Sequence, residues 1–366
     1  MTDPGATRAQ SLLVTGGAGF IGSHFVHHWV AAHPGTRVVV LDALTYAGRR
    51  ALVAPLEASG AITFVHGDIL DAPLVAELMT THAVDTVVHF AAESHVDRSI
   101  VDPMAFVRTN VLGTQVLLDA CRNAWRSADG QWRRGVRFHH VSTDEVFGAL
   151  GPADAPFTEA SPYAPNSPYS ASKAGSDLLV RAAMHTHGLP ASLSWCSNNY
   201  GPWQVAEKLI PLMITHALVG KPLPVYGDGQ QVRDWLHVRD HCAALEAILL
   251  GPVAGEGFVI GGRAEVVNLV LVERLCALVD EAIGADAALA ARYPACPASR
   301  GGSCRSLITH VTDRLGHDRR YSVHIDKVSA LGWKLSRSFE ESLAETVEWY
   351  RNNRAWWEPL KARAGL

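Results

Sequence analysis

The chain has 366 residues, 48% of them hydrophobic and 19% charged, and its formal net charge is −4. This length and composition predict one large two-lobed domain or two domains with a substantial core, and they exclude global disorder. The charge gives no reason to expect a nucleic acid or a membrane as partner. No apolar run approaches the roughly 20 residues that cross a bilayer, so we expect a soluble, cytoplasmic protein.

Cysteine usage points to the same compartment. The six cysteines are scattered and lack CxxC spacing, which is typical of reduced thiols rather than of a disulfide framework. Cys296 and Cys304 lie together in a stretch rich in glycine and serine, but two soft ligands do not make a zinc site. We therefore predict free thiols and no bound metal.

Short apolar runs alternate with helix-length segments through the first part of the chain. The predicted strands cover residues 11–15, 37–41, 62–65, 86–90 and 137–141, and the predicted helices cover residues 23–32, 74–81 and 103–125. This alternation is typical of a doubly wound parallel sheet, so the predicted fold class is α/β.

The alternation weakens after about residue 200, where four prolines indicate loops and short elements rather than further strand–helix units. Helical patterning returns over residues 240–250, 269–283 and 339–352. We predict a sheet domain from residues 11–202 and 236–262, and a smaller lobe from the discontinuous segments 203–235 and 263–366. Residues 126–135 and 294–306 are interpreted as insertions.

A glycine motif follows the first predicted strand directly, with Gly16, Gly19 and Gly22 in the sequence GGAGFIG. Such glycines permit a tight turn and a close approach of the backbone to a pyrophosphate at the start of a helix. Asp42 ends the next strand about 20 residues further on, where a carboxylate binds the adenosine ribose and repels a 2′-phosphate. The pattern predicts an NAD site. The alternative is an ordinary glycine turn with a surface aspartate.

The ends of the third and fourth strands give weaker signals. Asp68 and Ile69 end the third, where a side chain can face the adenine. Ala91 and Ala92 end the fourth, where small residues let a cofactor lie flat. Packing at the strand ends explains either pair equally well.

Tyr169 and Lys173 are four residues apart and share one face of a predicted helix. The lysine ammonium, together with the positive charge of a nicotinamide, should lower the pKa of the phenol. The phenolate can then take a proton from a substrate hydroxyl while the carbon beneath gives its hydride to NAD. The pair therefore predicts hydride transfer.

Thr143, Asp144 and Glu145 follow the fifth strand, at the edge of the sheet where ligands bind. Adjacent residues point in different directions, so the two carboxylates can flank different atoms of one substrate. This arrangement suits an elimination, in which one group removes a proton and the other donates one from a carboxyl of raised pKa. A helix N-cap is the structural alternative for these residues.

The sequence resembles the dTDP-glucose 4,6-dehydratases of the extended short-chain dehydrogenase/reductase superfamily, from Ser11 to Trp357. The resemblance rests on motifs in the family's order: FAAESHVDRS at 90–99, STDEVFG at 142–148, SPYSASK at 167–173, CSNNYGP at 196–202, EKLIP at 207–211, RDW at 233–235 and GHDRRY at 316–321.

The resemblance implies a Rossmann-type NAD-binding domain, a nucleotide-sugar-binding lobe and a three-step reaction without net redox change. Tyr169 deprotonates the glucose C4 hydroxyl as NAD takes the C4 hydride, and Thr143 hydrogen-bonds that oxygen. Glu145 then removes the C5 proton while Asp144 protonates the departing C6 hydroxyl, and the hydride returns to C6. NAD would stay tightly bound and be regenerated in each turnover.

The resemblance also implies the binding residues and the assembly. For NAD they are Gly16, Gly19, Phe20, Ile21, Gly22, Asp42, Leu44, Thr45, Asp68, Ile69, Ala91, Ala92, Thr109, Tyr169 and Lys173. For the nucleotide-sugar they are Ser94, Thr143, Asn198, Lys208, Leu209, Tyr226, Arg233, Arg314, His317 and Tyr321. Arg233 and Arg314 suit a diphosphate, because a guanidinium forms paired charged hydrogen bonds with it. A homodimer is implied through the helices at 103–125 and 169–187.

Three positions depart from the family's pattern. Phe147 stands where tyrosine is usual, Trp195 where arginine is usual, and Arg263 where an asparagine follows paired glycines. We expect these changes to affect the pocket for base and sugar rather than the chemistry.

Three alternatives stay open. Another nucleotide-sugar, such as UDP-glucose or CDP-glucose, would undergo the same dehydration. A nucleotide-sugar 4-epimerase would need Tyr169 and Lys173 but gives no reason for Asp144 and Glu145. A non-catalytic NAD-binding protein on the same fold would need none of these four side chains.

Overall fold

The structure, a computed structural model, describes residues 9–252 and 254–364. Its strands are β1 (Ser11–Thr15), β2 (Arg37–Asp42), β3 (Thr63–His66), β4 (Thr86–His89), β5 (Arg137–Thr143), β6 (Ala191–Cys196), β7 (Asn198–Tyr200), β8 (Leu223–Tyr226), β9 (Val232–His237), β10 (Gly257–Ile260), β11 (Glu265–Val267) and β12 (Ile308–Val311).

One parallel sheet of seven strands organises the molecule, in the order β10-β6-β5-β4-β1-β2-β3. Val39, Val40 and Leu41 of β2 are fully buried, as expected for strands that are covered on both faces. The strand order reverses between β1 and β4, which opens a crevice at the carboxyl ends of those two strands. The five predicted strands and the predicted doubly wound α/β fold are confirmed.

The helices are α1 (Phe20–Ala32), α2 (Ala54–Ala58), α3 (Ala72–Thr81), α4 (Val96–Val101), α5 (Pro103–Phe106), α6 (Gly113–Trp125), α7 (Pro168–His187), α8 (Leu209–Val219), α9 (Val238–Leu250), α10 (Asn268–Ala285), α11 (Ala287–Arg292), α12 (Asp326–Ser329), α13 (Phe339–Asn352) and α14 (Arg354–Ala364). Within the described ranges, none of these helices has the length and apolar character needed to cross a membrane.

Two helix predictions need correction. The single helix expected over 103–125 is interrupted, because α5 passes into a π-helical turn at Val107–Leu112 before α6 begins. The segment after residue 200 also contains a full helix, α8, where loops were expected. Pro211 lies in the first turn of α8, where a backbone N–H has no helical partner, so this proline does not prevent the helix.

A second hydrophobic core lies beneath smaller sheets. It contains Ile210 and Met213 of α8, Leu271 and Leu275 of α10, and Trp357 of α14. Above it, β11-β9-β7 form a three-stranded sheet, and β12 pairs with β8 in parallel. This second core gives the smaller lobe a physical basis, while the boundaries of the two lobes stay a prediction.

Candidate active site

A cavity of about 310 Å³ lies at the carboxyl ends of β1, β2, β4 and β5. Gly16 has φ +70°, and a Cβ there would lie 2.6 Å from the backbone nitrogen of Ala91. A Cβ on Gly22 would lie 2.2 Å from the carbonyl oxygen of Gly16. Since these neighbours are backbone atoms, only glycine fits at either position, and the loop leaves the N-terminus of α1 facing the cavity.

Asp42 ends β2 and organises the rim of this cavity. Its Oδ2 accepts a hydrogen bond from the Ala18 backbone N–H at 2.9 Å, and its Oδ1 accepts one from that of Leu44 at 2.8 Å. Burial raises the pKa of Asp42, and these two backbone hydrogen bonds oppose the rise. Each oxygen keeps a lone pair for a ribose hydroxyl. Leu44 itself does not line the cavity and contributes through its backbone.

The remaining predicted cofactor residues converge on the same cavity. They are Gly19, Phe20, Ile21, Thr45, Asp68, Ile69, Ala91, Ala92, Thr109, Tyr169 and Lys173. Thr109 lies on the π-helical turn, which Asn110 fixes in place. The Asn110 amide donates to Ser172 Oγ at 2.8 Å, and its oxygen accepts from the Glu93 N–H at 2.9 Å. Single π turns inside helices are frequent at functional sites.

Tyr169 and Lys173 enter the cavity from the first two turns of α7. Ser167 begins this helix with a reciprocal capping box, and Pro168 occupies its first turn. The Lys173 ammonium donates a hydrogen bond to the Val141 carbonyl at 2.9 Å. Burial raises the pKa of Tyr169 well above its usual value, and the charge of Glu145 adds to the rise. The predicted lowering of the phenol pKa includes the charge of a bound nicotinamide and stays a prediction, while the chain by itself has a raised phenol pKa.

The two adjacent carboxylates lie on a 3₁₀ turn that follows β5. Thr143 caps this turn, and its Oγ1 accepts a hydrogen bond from the Glu145 N–H at 3.3 Å, so the capping interpretation is also correct. Glu145 lines the cavity. Asp144 does not: it is 1% exposed, and its Oδ2 has no hydrogen-bond partner.

The electrostatic surroundings of the two carboxylates differ. Burial raises the pKa of Asp144 well above its usual value, and the charge of Glu145 raises it further. Burial also raises the pKa of Glu145, but Lys208 and then Arg233 oppose this rise. The raised pKa keeps Asp144 protonated, so it can act as an acid. Glu145 faces cations that favour its ionised form.

A second cavity, of about 210 Å³, adjoins the first. Ser94, Glu145, Asn198 and Lys208 line both cavities, so the two spaces meet at these side chains. The predicted substrate residues that line the second cavity are Ser94, Asn198, Lys208, Leu209, Tyr226, Arg233, Arg314, His317 and Tyr321. Thr143 lines the first cavity only.

The cations of the second cavity are held in place by protein groups. Arg233 is 8% exposed and donates to the Asp318 carbonyl at 2.9 Å, with its guanidinium 4.3 Å from the centre of the Tyr321 ring. The Arg314 guanidinium pairs with both carboxylate oxygens of Asp97, at 2.6 and 2.9 Å. The site is thus a set of fixed positive charges, and Arg314 already has a carboxylate partner.

The side chains that line these cavities and that sequence reasoning missed include Tyr46 in the first, and Asp97 and Asn268 in the second. Asp97 stands inside the motif at 90–99, so the motif could have indicated that it belongs to the site and pairs with Arg314. Tyr46 follows the loop from Asp42, where position alone does not reveal the direction of a side chain. Asn268 begins α10 with its Oδ1 buried and unpartnered, and nothing in the local pattern marked it.

The three departures from the family's pattern do not lie in the pocket. Phe147 and Trp195 are 4% and 2% exposed, their ring centres are 5.4 Å apart, and neither lines a cavity. Arg263 is exposed and pairs with Asp326 at 3.3 Å. The expectation that these residues shape the pocket for base and sugar is therefore wrong, because Phe147 and Trp195 belong to the core and Arg263 to the surface.

The first cavity fits a dinucleotide. Its glycine loop and helix N-terminus suit a pyrophosphate, and Asp42 suits a ribose with free hydroxyls. Tyr169 and Lys173 lie at the opposite end, beside the second cavity. Among the described residues, no group of three or more histidine, cysteine, aspartate or glutamate side chains is arranged to hold a metal ion.

Comparison with known proteins gives a consistent result. The family model for GDP-mannose 4,6-dehydratase matches residues 13–346. A dTDP-glucose 4,6-dehydratase of Xanthomonas campestris is 52% identical over 345 residues, which cover 94% of each chain. The structure of a dTDP-glucose 4,6-dehydratase from Streptomyces venezuelae, solved with NAD bound, superposes with a TM-score of 0.84 at 48% identity and covers 96% of this chain and 100% of its own.

A more distant structure has the same fold. UDP-glucose 4-epimerase from Thermotoga maritima gives a TM-score of 0.79 at 25% identity, over 94% of this chain and 99% of its own. The lower identity separates this epimerase from the dehydratases. The resemblance in the sequence motifs is confirmed, and the chain belongs to the dTDP-glucose 4,6-dehydratase family of extended short-chain dehydrogenases/reductases.

Proposed function

We propose that this chain dehydrates dTDP-glucose to dTDP-4-keto-6-deoxyglucose, with a tightly bound NAD that is regenerated in each turnover. The observation that carries the proposal is the position of Glu145, which lines both cavities and follows Asp144 directly. A sugar bound where the cavities meet would lie beside Tyr169 and Glu145. Asp144 lies behind them, and the contact of its Oδ1 with Thr143 Oγ1 at 3.4 Å gives it a connection to the first cavity. An epimerase would need no such carboxylate pair.

The first step is oxidation at C4. NAD held by the glycine loop and Asp42 would supply the hydride acceptor for C4 and the hydride donor for C6, together with the positive charge of its nicotinamide. Tyr169 takes the proton of the C4 hydroxyl, Thr143 hydrogen-bonds that oxygen, and Lys173 stabilises the phenolate. Because burial and the charge of Glu145 raise the pKa of Tyr169, the positive charges of Lys173 and of a bound nicotinamide would be needed to form the phenolate that accepts this proton.

The second step is loss of water across C5 and C6. The C4 carbonyl acidifies the C5 proton, which Glu145 removes as a carboxylate favoured by Lys208 and Arg233. Asp144, which burial keeps protonated, gives its proton to the C6 hydroxyl, so water leaves. Hydride return to C6 and proton return from Glu145 to C5 give the product. Tyr169 then gives up the proton it took from C4 and Asp144 regains one, so the sum is loss of one water without net redox change.

The second cavity would hold the nucleoside diphosphate. Arg233, Arg314 and Lys208 supply the positive charge for the two phosphates. Leu209, Met213 and Pro224 give the far end an apolar wall, which suits a pyrimidine base with a methyl group. Uracil and cytosine lack that methyl group, so UDP-glucose and CDP-glucose are the second candidates.

A homodimer and action in the cytoplasm complete the proposal. Exposed apolar side chains on neighbouring helical segments support a self-association surface, which we call the apolar face: Val101, Met104, Val107, Leu112 and Leu178, with exposures of 44–86%. All of them except Val101, which ends α4, lie within the segments that the family resemblance assigns to a dimer. The cytoplasmic assignment rests on the cysteines, which are all free thiols, as is typical of a reducing compartment.

Turnover of a panel of nucleotide-glucoses tests the proposed activity. We expect dTDP-glucose to give a product lighter by one water, with a higher kcat/KM than UDP-glucose or CDP-glucose. A matched incubation with the Tyr169→Phe variant should leave the sugar unchanged. Conversion of UDP-glucose to its C4 epimer, without loss of water, would reject the proposal in favour of an epimerase.

A further inference from the structure

A buried carboxylate lies behind the proposed catalytic pair. Tyr169, Lys173 and Asp177 are spaced four residues apart on α7, so they occupy one face of the helix. Asp177 is fully buried and lines neither cavity. Its position, one turn beyond Lys173 and two beyond Tyr169, gives it no route to a bound sugar. Any role in the reaction must therefore act through a neighbouring side chain that lines the first cavity, and Lys173 and Ser142 are such neighbours.

The hydrogen bonds of Asp177 come from neutral groups. Its Oδ2 accepts from Ser142 Oγ at 3.0 Å and from the Trp195 indole N–H at 2.8 Å. Its Oδ1 lies 3.2 Å from Nε2 of His140. Burial and the charge of Lys173 hold the pKa of His140 well below its usual value, so this imidazole is neutral. The donors orient the carboxylate without neutralising its charge.

Lys173 is the cation that responds to this carboxylate. Burial lowers the pKa of Lys173, and the charge of Asp177 is the largest effect that raises it again. In the other direction, burial raises the pKa of Asp177 to about 6, and the charge of Lys173 is the largest effect that opposes the rise. The Lys173 ammonium is anchored by the Val141 carbonyl at 2.9 Å and lies 3.4 Å from His140 Nε2.

We propose that Asp177 is the counter-ion of Lys173, which keeps the ammonium charged and fixed beside Tyr169 and so sets the charge on which proton transfer at C4 depends. Asp177 is a positioning residue, since it touches neither substrate nor cofactor. The inference deepens the proposed function and rests on it for the role of Tyr169. Its physical basis is that a desolvated ammonium loses its proton easily unless an opposite charge lies nearby.

The same arrangement accounts for Trp195. The indole supplies a hydrogen bond to Asp177 and adds no charge, so the carboxylate remains available to Lys173. An arginine at this position, usual in the family, would place a second cation beside Asp177. Trp195 is thus a polar contact of the lysine network, which explains why a departure in the core is compatible with the chemistry.

Other titratable groups surround the pair and bear on its pH response. They are His140 on β5, His89 on β4, Cys196 on β6, Glu145 on the 3₁₀ turn, Tyr169 on α7 and Tyr163 in the preceding loop. Both histidines have a strongly lowered pKa and stay neutral, and burial raises the pKa of Cys196 to about 12. Asp177 therefore gains its charge around pH 6, and above this pH it supplies a constant negative charge to the ammonium until Lys173 itself titrates.

Direct titration of Lys173 by NMR tests the inference without any substrate. Protein labelled at the lysine side-chain carbons has few signals to assign: Lys173, Lys208, Lys221, Lys327, Lys334 and Lys361. In Asp177→Asn, the midpoint of the Lys173 signal should fall by about one pH unit or more. Trp195→Phe, which removes a hydrogen bond to Asp177 but keeps its charge, should leave that midpoint within a few tenths. An unchanged midpoint in Asp177→Asn overturns the inference.

The wild-type protein offers a second measurement that does not depend on a variant. The Lys173 signal should show a further inflection near pH 6, where Asp177 takes up its proton. A flat Lys173 signal through this range also overturns the inference, even if Asp177→Asn fails to fold.

Stability and turnover separate a positioning role from a structural one. The pKa of Asp177 in the folded chain lies above its usual value of 3.8, so its ionisation lowers stability as pH rises through about 6. Above that pH, Asp177→Asn should keep or raise the Tm, and the alkaline limb of its kcat profile with dTDP-glucose should move to lower pH by about one unit. A lowered Tm with an alkaline limb that does not move indicates a structural role and rejects the inference.

If wild-type protein fails to turn over dTDP-glucose while the NMR shift of Lys173 is present, the proposed function fails but the role of Asp177 as counter-ion remains.

Discussion

Asp144 and Glu145 are neighbours in the chain, yet their side chains lie in different surroundings. Asp144 is sealed from solvent with an unpartnered oxygen, whereas Glu145 faces two cavities and the charges of Lys208 and Arg233. Sequence motifs were sufficient to name both residues, and their roles as acid and base stay a prediction. They were not sufficient for the pKa of Tyr169, because burial depends on side chains that are remote in sequence.

Changing Glu145→Gln should stop dehydration and leave C4 oxidation intact, because only the base at C5 is lost. We expect kcat to fall by about 10²–10⁴-fold, and NADH absorbance to build up when dTDP-glucose is added. Glu57→Gln is a suitable control, since Glu57 lies on α2 and pairs with Arg50 at the surface, away from both cavities. Normal turnover by Glu145→Gln would contradict its role.

Changing Asp144→Asn should remove the acid while keeping a neutral side chain of similar shape. Because protonated Asp144 is the active form, wild-type kcat should fall as pH rises through the raised pKa of this group. A substrate with fluorine in place of the C6 hydroxyl needs no acid, since fluoride leaves without a proton. It should therefore lose fluoride in Asp144→Asn but not in Glu145→Gln. Equal loss of activity in both variants would mean that Asp144 is not the acid.

At the scale of elements, short segments rather than long ones position the site. The glycine loop before α1, the π-helical turn before α6 and the 3₁₀ turn after β5 each place one part of it. Periodicity located the long strands and helices because their buried faces repeat. It missed the π turn, whose single inserted residue leaves no periodic signal, and α8, whose apolar residues lie on all sides and include a proline.

The glycine loop gives a prediction with a matched control. Gly22→Ala should abolish retention of NAD or prevent folding, because its Cβ would lie 2.2 Å from the Gly16 carbonyl oxygen. Gly284→Ala on α10 has no atom within 4 Å of the new Cβ, and it should raise the free energy of unfolding by about 0.5–1 kcal/mol. The amount of NAD released on denaturation measures the first effect, and thermal unfolding measures the second. Full NAD content in Gly22→Ala would contradict the close approach.

At the scale of the whole molecule, two hydrophobic cores carry two cavities that share one wall. The residues that line both cavities, such as Ser94 and Lys208, come from different segments of the chain. The site is therefore complete only when the whole chain has folded. The fold class followed from the sequence pattern. The meeting of the cavities did not, because it depends on how the discontinuous segments of the smaller lobe pack.

The apolar face predicts self-association. Leu178→Glu should weaken the proposed dimer by roughly 2 kcal/mol or more, because it would bury a charge without a partner. Val270→Glu is the control, since Val270 is also a partly exposed apolar residue but lies on α10, outside the apolar face. Sedimentation velocity over a range of concentrations gives the association state. A monomeric wild-type protein, or a dimer that Leu178→Glu leaves unchanged, would contradict this surface.

The central claim is that one bound cofactor moves a hydride from C4 to C6 of the same sugar while water is lost. The most direct test uses dTDP-glucose that carries deuterium at C4, with no added NADH, and mass spectrometry and NMR of the product. We predict a product lighter by one water that keeps the deuterium at C6. A product that retains water, or one whose deuterium is lost to the medium, would contradict the account.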